Sequence, residues 1–155
     1  MLIKNKILSL SALLRKLPAL KRQGMTIAFT NGCFDLMHIG HVKYLEAAGK
    51  PKRVLIVGLN SDSSIRRIKG PSRPIVNQKS RAAVLAALES VDFVVIFNEE
   101  TPYKTIAAIK PDVLIKGADW KGKSVAGEDL VKKVEFIKFI KGFSTSNIIE
   151  KIRKA

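Results

Sequence analysis

The chain has 155 residues, 46% of them hydrophobic, which suffices for a single domain with a real core. Its formal net charge of +15 invites a nucleic-acid reading, but the cations are dispersed, without a basic block or interleaved aromatics, so a solvated surface that attracts small anions is favoured and a basic nucleic-acid-binding domain is the weaker alternative. The single cysteine excludes an internal disulfide and a Cys-rich zinc site, no apolar run is long enough to cross a membrane, and the N-terminus, broken by Ser9, Ser11, Arg15 and Lys16, does not read as a signal peptide, so a cytoplasmic protein is expected.

Along the chain, Ile7, Leu10, Leu13, Leu14 and Leu17 share one helical face, which predicts a docking helix over 7–20 within an N-terminal segment, residues 1–24, of the same domain as 25–155. A membrane-surface helix is the alternative for this segment. Residues 25–29 form an apolar run that reads as a buried strand, with Asn31-Gly32 as the break that ends it. A helical pattern follows over 39–48, then a strand over 53–59. Residues 60–78 read as a cationic, Pro-containing loop bearing Arg66, Arg67, Lys69 and Arg73. A helix is expected over 80–89, a strand over 92–97, a helix from Pro102 to 109 and a strand over 112–115. The fifth strand, 134–140, is interrupted by Glu135 and Lys138, and a helix over 144–153 closes the chain. Strands alternating with helices, each strand a continuous apolar run, predict an α/β fold: a Rossmann-like, doubly wound, five-stranded parallel sheet. Ligands of such sheets bind outside the carboxyl ends of the strands, near the point where strand order reverses.

The segment after the first strand carries the chemistry. His38-Ile39-Gly40-His41 contains both histidines of the sequence and falls where strand gives way to helix. A helix start offers free N–H groups and a partial positive charge, which suit phosphate. Gly40 leaves room for phosphate oxygens, and two imidazoles can donate to charge that develops in a transition state. The pattern fits attack on the α-phosphate of a nucleotide. Cys33 lies beside this junction and reads as a small residue in a tight turn rather than a nucleophile, since no partner base is identifiable.

Three further segments fall at strand ends. The cationic loop 60–78 reads as a phosphate clamp or as a solvated loop. Lys116-Gly117-Ala118-Asp119-Trp120 combines a glycine that permits close backbone approach with the one tryptophan of the chain, a packing residue or a stacking platform. Gly142-Phe143-Ser144-Thr145-Ser146-Asn147 reads either as a capping cluster or as hydroxyls and N–H groups that hold β- and γ-phosphates. No dinucleotide-binding glycine fingerprint and no Walker A pattern occurs, which disfavours hydride transfer and P-loop chemistry.

The turn Gly32-Cys33-Phe34-Asp35, the HxGH of 38–41 and the late motif GFSTSNII of 142–149 together resemble the cytidylyltransferase-like nucleotidyltransferases over nearly the whole chain. Residues 30–35, 60–62, 69–74, 87–92 and 109–112 are similar to the ADP-heptose synthase branch, which makes a precursor of the lipopolysaccharide core. The kinase domain that often precedes this branch in bifunctional versions is not expected here. Glycerol-3-phosphate cytidylyltransferases carry an arginine before the late motif, where this chain has Phe139, Ile140 and Lys141; residues 117–123, however, look more like that second branch, so CTP with glycerol 3-phosphate stays open as the alternative. The resemblance implies transfer of AMP from ATP to a heptose 1-phosphate. It makes His38 and His41 catalytic, with Lys69 and Arg81 neutralising phosphates. Gly32, Cys33, Phe34 and Gly40 would shape the phosphate-facing turn, Gly117 and Asp119 would border the nucleoside, and Ser144, Thr145 and Ser146 would hold the departing phosphates. It further implies Mg²⁺ held mainly by phosphate oxygens rather than by protein ligands, and a homodimer with residues 82–97 as the candidate contact.

Overall fold

Parallel strands that read as unbroken apolar runs must be covered on both faces, and the computed structural model, which describes residues 2–138, 140 and 142–155, shows this arrangement. The strands are β1 (Thr26–Gly32), β2 (Arg53–Asn60), β3 (Phe93–Phe97), β4 (Val113–Gly117) and β5 (Lys133–Ile137). They form one all-parallel sheet in the order β3-β2-β1-β4-β5. The helices are α1 (Ile3–Lys6), α2 (Leu10–Arg22), α3 (Ile39–Ala48), α4 (Asp62–Lys69), α5 (Gln78–Ala87), α6 (Tyr103–Ile109) and α7 (Thr145–Lys154).

Alternation along the strands sorts the core into two layers. Ala28, Leu55, Val57 and Leu59 pack with Tyr44, Leu45 and Ala48 of α3 and Ala82, Leu85 and Ala86 of α5. Ile27, Phe29, Val54 and Ile56 pack on the other face with Leu13 and Leu17 of α2 and Ile106 and Ile109 of α6. Gly58 belongs to this packing: a Cβ there would sit 2.4 Å from Cζ of Phe29. The chain winds from β1 outward to β3, then returns to place β4 on the opposite side of β1. The reversal therefore lies between β1 and β4, and their carboxyl ends frame the crevice.

Several boundaries differ from the sequence reading, each for a local reason. β1 runs through Asn31-Gly32, because both residues stay in register with Gly58 and Leu59 of β2. The N-terminal helix begins at Leu10, capped by the Ser9 hydroxyl, which accepts the Ala12 amide. Ile7 leaves that helix and bridges Val94, so residues 7–8 pair with the outer edge of β3. The loop expected over 60–78 contains α4, with the Ser61 hydroxyl accepting the Ser64 amide at its start and Gly70, at φ +94, ending it. β4 extends to Lys116 and Gly117, which are in register with Phe136 and Ile137. β5 ends at Ile137; Phe139, inside the expected fifth strand, lies outside the described residues.

One ion pair spans the base of the sheet. Arg53, at the start of β2, reaches across β1 and β4 to Glu135 on β5 with two N–H donors, at 3.0 and 3.1 Å. Arg53, then Lys133 and Lys50, hold the Glu135 carboxyl down at a pKa of about 2 against the opposing effect of burial. A carboxylate whose folded pKa is depressed contributes stability above its unfolded value, lost as pH falls through the folded one. Glu135→Gln should therefore lower unfolding free energy by about 2 kcal/mol at pH 7, and the gap should close between pH 4.5 and about 2. Urea unfolding at both ends of that range measures it; a variant as stable as its parent at pH 7 contradicts the assignment.

Candidate active site

The turn from β1 into α3 has little regular hydrogen bonding of its own, so its shape must come from elsewhere. Phe34 adopts φ +43, a left-handed conformation unusual for a bulky residue. Its ring folds back over the end of β1, and a Cβ on Gly32 would lie 2.9 Å from that ring. Asp35, 4% exposed, accepts the amides of Ile75 and Val76, each at 2.9 Å, and Nε of Arg73 at 2.7 Å. Burial alone would raise the Asp35 pKa; these donors outweigh it and keep the carboxyl below its ordinary value. Arg81 completes the clamp from α5. Its guanidinium donates to the Val76 carbonyl at 2.8 Å, the Cys33 carbonyl at 2.6 Å and Oδ1 of Asp62 at 2.7 Å. Arg81, expected to neutralise substrate phosphate, has its side chain fully buried and occupied by protein acceptors in this structure, where it shapes the turn.

The two histidines stack at the start of α3, with ring centroids 3.8 Å apart. Phe34 meets His41 edge-on at 5.2 Å, and Phe143 flanks His38 at 6.4 Å. Burial, then the neighbouring His38, push the His41 pKa down to about 4, and burial lowers that of His38. Both imidazoles are thus neutral near pH 7, polar groups rather than charges. Nδ1 of each is buried without a hydrogen-bond partner. Gly40 also makes room for a neighbour: a Cβ there would lie 2.9 Å from Nδ1 of His38, and that ring would have to shift from its place over the helix start.

A cavity of about 620 Å³ opens at the reversal of strand order, lined among others by Gly32, Cys33, Phe34, His41, Lys116, Gly117 and Trp120. Five of the expected site residues, Gly32, Cys33, Phe34, His41 and Gly117, thus meet in one place. Burial, partly offset by Lys69, Arg81 and Arg73, raises the Cys33 pKa, which fits a packing role rather than a thiolate nucleophile. Asp119 is exposed at the rim. His38 and Ser144 line a neighbouring depression with Phe143. Lys69 and Ser146 meet in another, with Arg73 and Arg153. The Ser144 hydroxyl accepts the Asn147 amide as the cap of α7, and Oγ1 of Thr145 donates to the Leu36 carbonyl, tying α7 to the histidine turn. The capping reading thus describes Ser144 as it stands, while Ser146 lines the depression of Lys69, Arg73 and Arg153.

Lys116 was not singled out from the sequence. It is 7% exposed, its Nζ donates to Oδ1 of Asn31 at 2.5 Å, and it lies 5.4 Å from the centroid of the Trp120 ring. Burial lowers its pKa to about 8, with Asp119 opposing. The available signal was a lysine directly after the apolar run of 113–115, at the carboxyl end of a central strand. Among the described residues no group of three or more His, Cys, Asp or Glu side chains is placed to hold a metal ion.

A family model described as cytidylyltransferase-like matches residues 29–152. A bifunctional protein HldE of Campylobacter jejuni is 59% identical over 137 residues, 88% of this chain and 30% of that protein. A bifunctional protein HldE of Wolinella succinogenes is 53% identical over 149 residues, 96% of this chain and 31% of its own length. The chain therefore spans about 30% of the length of these relatives. The crystal structure of a lipopolysaccharide core biosynthesis protein from Thermoplasma volcanium superposes with a TM-score of 0.60 at 26% identity, covering 77% of this chain and all of that one.

The neutral state of His41 can be checked directly. A histidine whose folded pKa is depressed binds fewer protons when folded, so the fold loses stability from this group as pH drops from 6.5 towards about 4. An NMR titration of the imidazole should show its midpoint near pH 4, and His41→Asn should flatten the decline in stability over that window. A midpoint near 6.5 contradicts the assignment.

Proposed function

The chain belongs to the cytidylyltransferase-like family, and on that premise we propose that it is a nucleotidyltransferase, which transfers AMP from ATP to a heptose 1-phosphate to give ADP-heptose and pyrophosphate. The observation that carries this reading is the stacked, neutral histidine pair at the start of α3, opening on the crevice where strand order reverses. The heptose substrate is supported by the motif segments 30–35, 69–74 and 87–92 and by the similarity to proteins named bifunctional HldE and to a lipopolysaccharide core biosynthesis protein.

An oxygen of the sugar phosphate attacks the α-phosphorus, the bond to the β-phosphate oxygen breaks, and pyrophosphate leaves. Such a step needs positioning and charge stabilisation rather than a protein nucleophile. The imidazoles donate N–H bonds to oxygens on which charge grows, and being preorganised and neutral they cost little reorientation when it does. The depression lined by Lys69, Arg73 and Arg153 beside Ser146, with Glu150 the one carboxylate among its lining residues, carries a net positive charge that suits the departing phosphates. Glu100 is the one carboxylate lining the main cavity among the described residues, which fits Mg²⁺ bound chiefly through phosphate oxygens and water rather than in a protein cage. When bound, Mg²⁺ would neutralise phosphate charge. A cytoplasmic location accords with use of ATP, and no described helix is long and apolar enough to cross a membrane. A homodimer remains part of the proposal. Because residues 7–8 already pair with the β3 edge, its contact would use the outer face of α5, where Val84 is exposed.

The second reading, CTP with glycerol 3-phosphate, is favoured by residues 117–123, where Lys123 lies 6.0 Å from the Trp120 ring. Base choice would rest on polar groups near residues 116–120 and 139–143, of which Phe139 and Lys141 lie outside the described residues. A site that hydrogen-bonds one base leaves buried groups unpaired with another, so the preference should be large.

Pyrophosphate release with ATP and CTP, each crossed against heptose 1-phosphate and glycerol 3-phosphate, tests the proposal. ATP with the heptose should lead. A preference for CTP with glycerol 3-phosphate would select the second reading. No pyrophosphate from any pair, together with tight and salt-sensitive nucleic-acid binding, would overturn both. His38→Ala and His41→Ala should each lower kcat by about a hundredfold while the fold persists; near-normal activity in both would refute the histidine mechanism.

A further inference from the structure

The histidine pair leaves an electrostatic gap. Joining an acceptor phosphate to a nucleotide phosphate brings two anions together, and both imidazoles are neutral near pH 7. Among the described residues that line the main cavity with His41, Lys116 is the one lysine or arginine. Its ammonium is buried on β4, directly across the reversal of strand order from the end of β1. Its close partner is neutral, Oδ1 of Asn31, and no described carboxylate lies within ion-pair distance of it. A buried cation offset only by Asp119, beyond ion-pair distance, is costly unless something else supplies negative charge.

We propose that Lys116 is a phosphate ligand of the reacting centre, with its ammonium receiving the attacking phosphate of the acceptor and Asn31 fixing its direction. This inference rests on the nucleotidyl-transfer reading and adds to it the residue that offsets the charge of the acceptor. The remaining donors of the ammonium are available to phosphate oxygens once the crevice is filled, since a lysine carries three N–H groups. Trp120, on the adjacent 3-10 turn, walls the ammonium off on one side.

The other charged or titratable groups around Lys116 are Asp119 on that turn, His41 and Tyr44 from α3, Cys33 on the β1–α3 turn, Glu100 after β3, and Lys123 beyond the Trp120 ring. His41 is neutral above about pH 4 and Tyr44 below about 12, and the Cys33 thiol is raised. Lys116 is the group whose charge changes near pH 8. A lysine carries its charge below its pKa, so acceptor capture by the free enzyme should weaken above about pH 8.

The test uses the full chain and two variants. Lys116→Met removes the charge at similar volume; Lys116→Arg keeps it at every accessible pH. kcat/KM for ATP and for heptose 1-phosphate is measured from pH 6 to 10, with thermal melting beside it. Lys116→Met should melt no lower than the parent, because replacing a buried charge by a hydrophobe is often neutral or stabilising. It should still lose about a hundredfold in kcat/KM for the sugar phosphate at pH 7. Lys116→Arg should retain more activity and move the alkaline limb up by more than about one pH unit. A Lys116→Met enzyme within threefold of the parent, a loss confined to ATP, or an alkaline limb unmoved in Lys116→Arg would each overturn the proposal. Binding of inorganic phosphate, followed by phosphorus NMR, separates this inference from the reading beneath it. If the parent transfers no nucleotide at all, the proposed function fails, while weaker phosphate binding by Lys116→Met would still support the ligand role and unchanged binding would reject it.

Discussion

Asp35 accepts hydrogen bonds from three donors in the segment that leads into α5, and the histidine turn is held in place through that carboxylate. The turn between β1 and α3 has few bonds of its own. Without the Asp35 contacts, and without Arg81 gripping the Cys33 and Val76 carbonyls from below, Phe34 would have no reason to hold a left-handed backbone over Gly32. Phe34 in turn meets His41, and His41 stacks on His38. The positions of the two imidazoles thus depend on a buried carboxylate more than thirty residues away in sequence from the amides that hold it. Buried polar groups stay satisfied only in one arrangement, so such a network specifies geometry as much as it stabilises.

This arrangement supplies directed donors without charge at the centre and places the cations around it. Lys116 stands on the β4 side, and Lys69, Arg73 and Arg153 stand near α7. The separation suits a reaction in which charge moves from attacking oxygen to leaving group: neutral imidazoles would not favour one anion over the other, and fixed cations at either side would offset both. The net charge of +15, which suggested nucleic acid when taken alone, is consistent with a field that attracts small anions.

Much of the fold was legible because its physics is local. Unbroken apolar runs gave β2, β3 and β4, and three- and four-residue spacing gave α2 and α3. α4 was hidden because Ile65 and Ile68 are too few to signal a helical face among Ser, Arg and Lys, and its start depends on the Ser61 cap. The extension of β1 through Asn31-Gly32 was hidden because pairing with β2 overrides the turn preference of that dipeptide. At the site, the HxGH motif and the Gly-x-Phe-Asp turn were visible as residue types, and five of the expected residues meet in the main cavity. The inward orientation of Arg81 was not legible, because a charged side chain on an Ala/Leu helix gives no sign of facing inward onto carbonyls. Lys116 was passed over for the converse reason: its burial comes from the strand ladders on both sides, which only the assembled sheet reveals.

The central claim is a single in-line displacement at the α-phosphorus, driven by positioned neutral donors and without a protein nucleophile. It accords with a raised Cys33 thiol and with imidazoles buried against each other and against Phe34. The stereochemical course tests it most directly. With ATP bearing sulfur at one α-position in known configuration, and heptose 1-phosphate as acceptor, the account predicts inversion at phosphorus in the product. Retention would require two displacements and a covalent nucleotidyl-enzyme, and would contradict it.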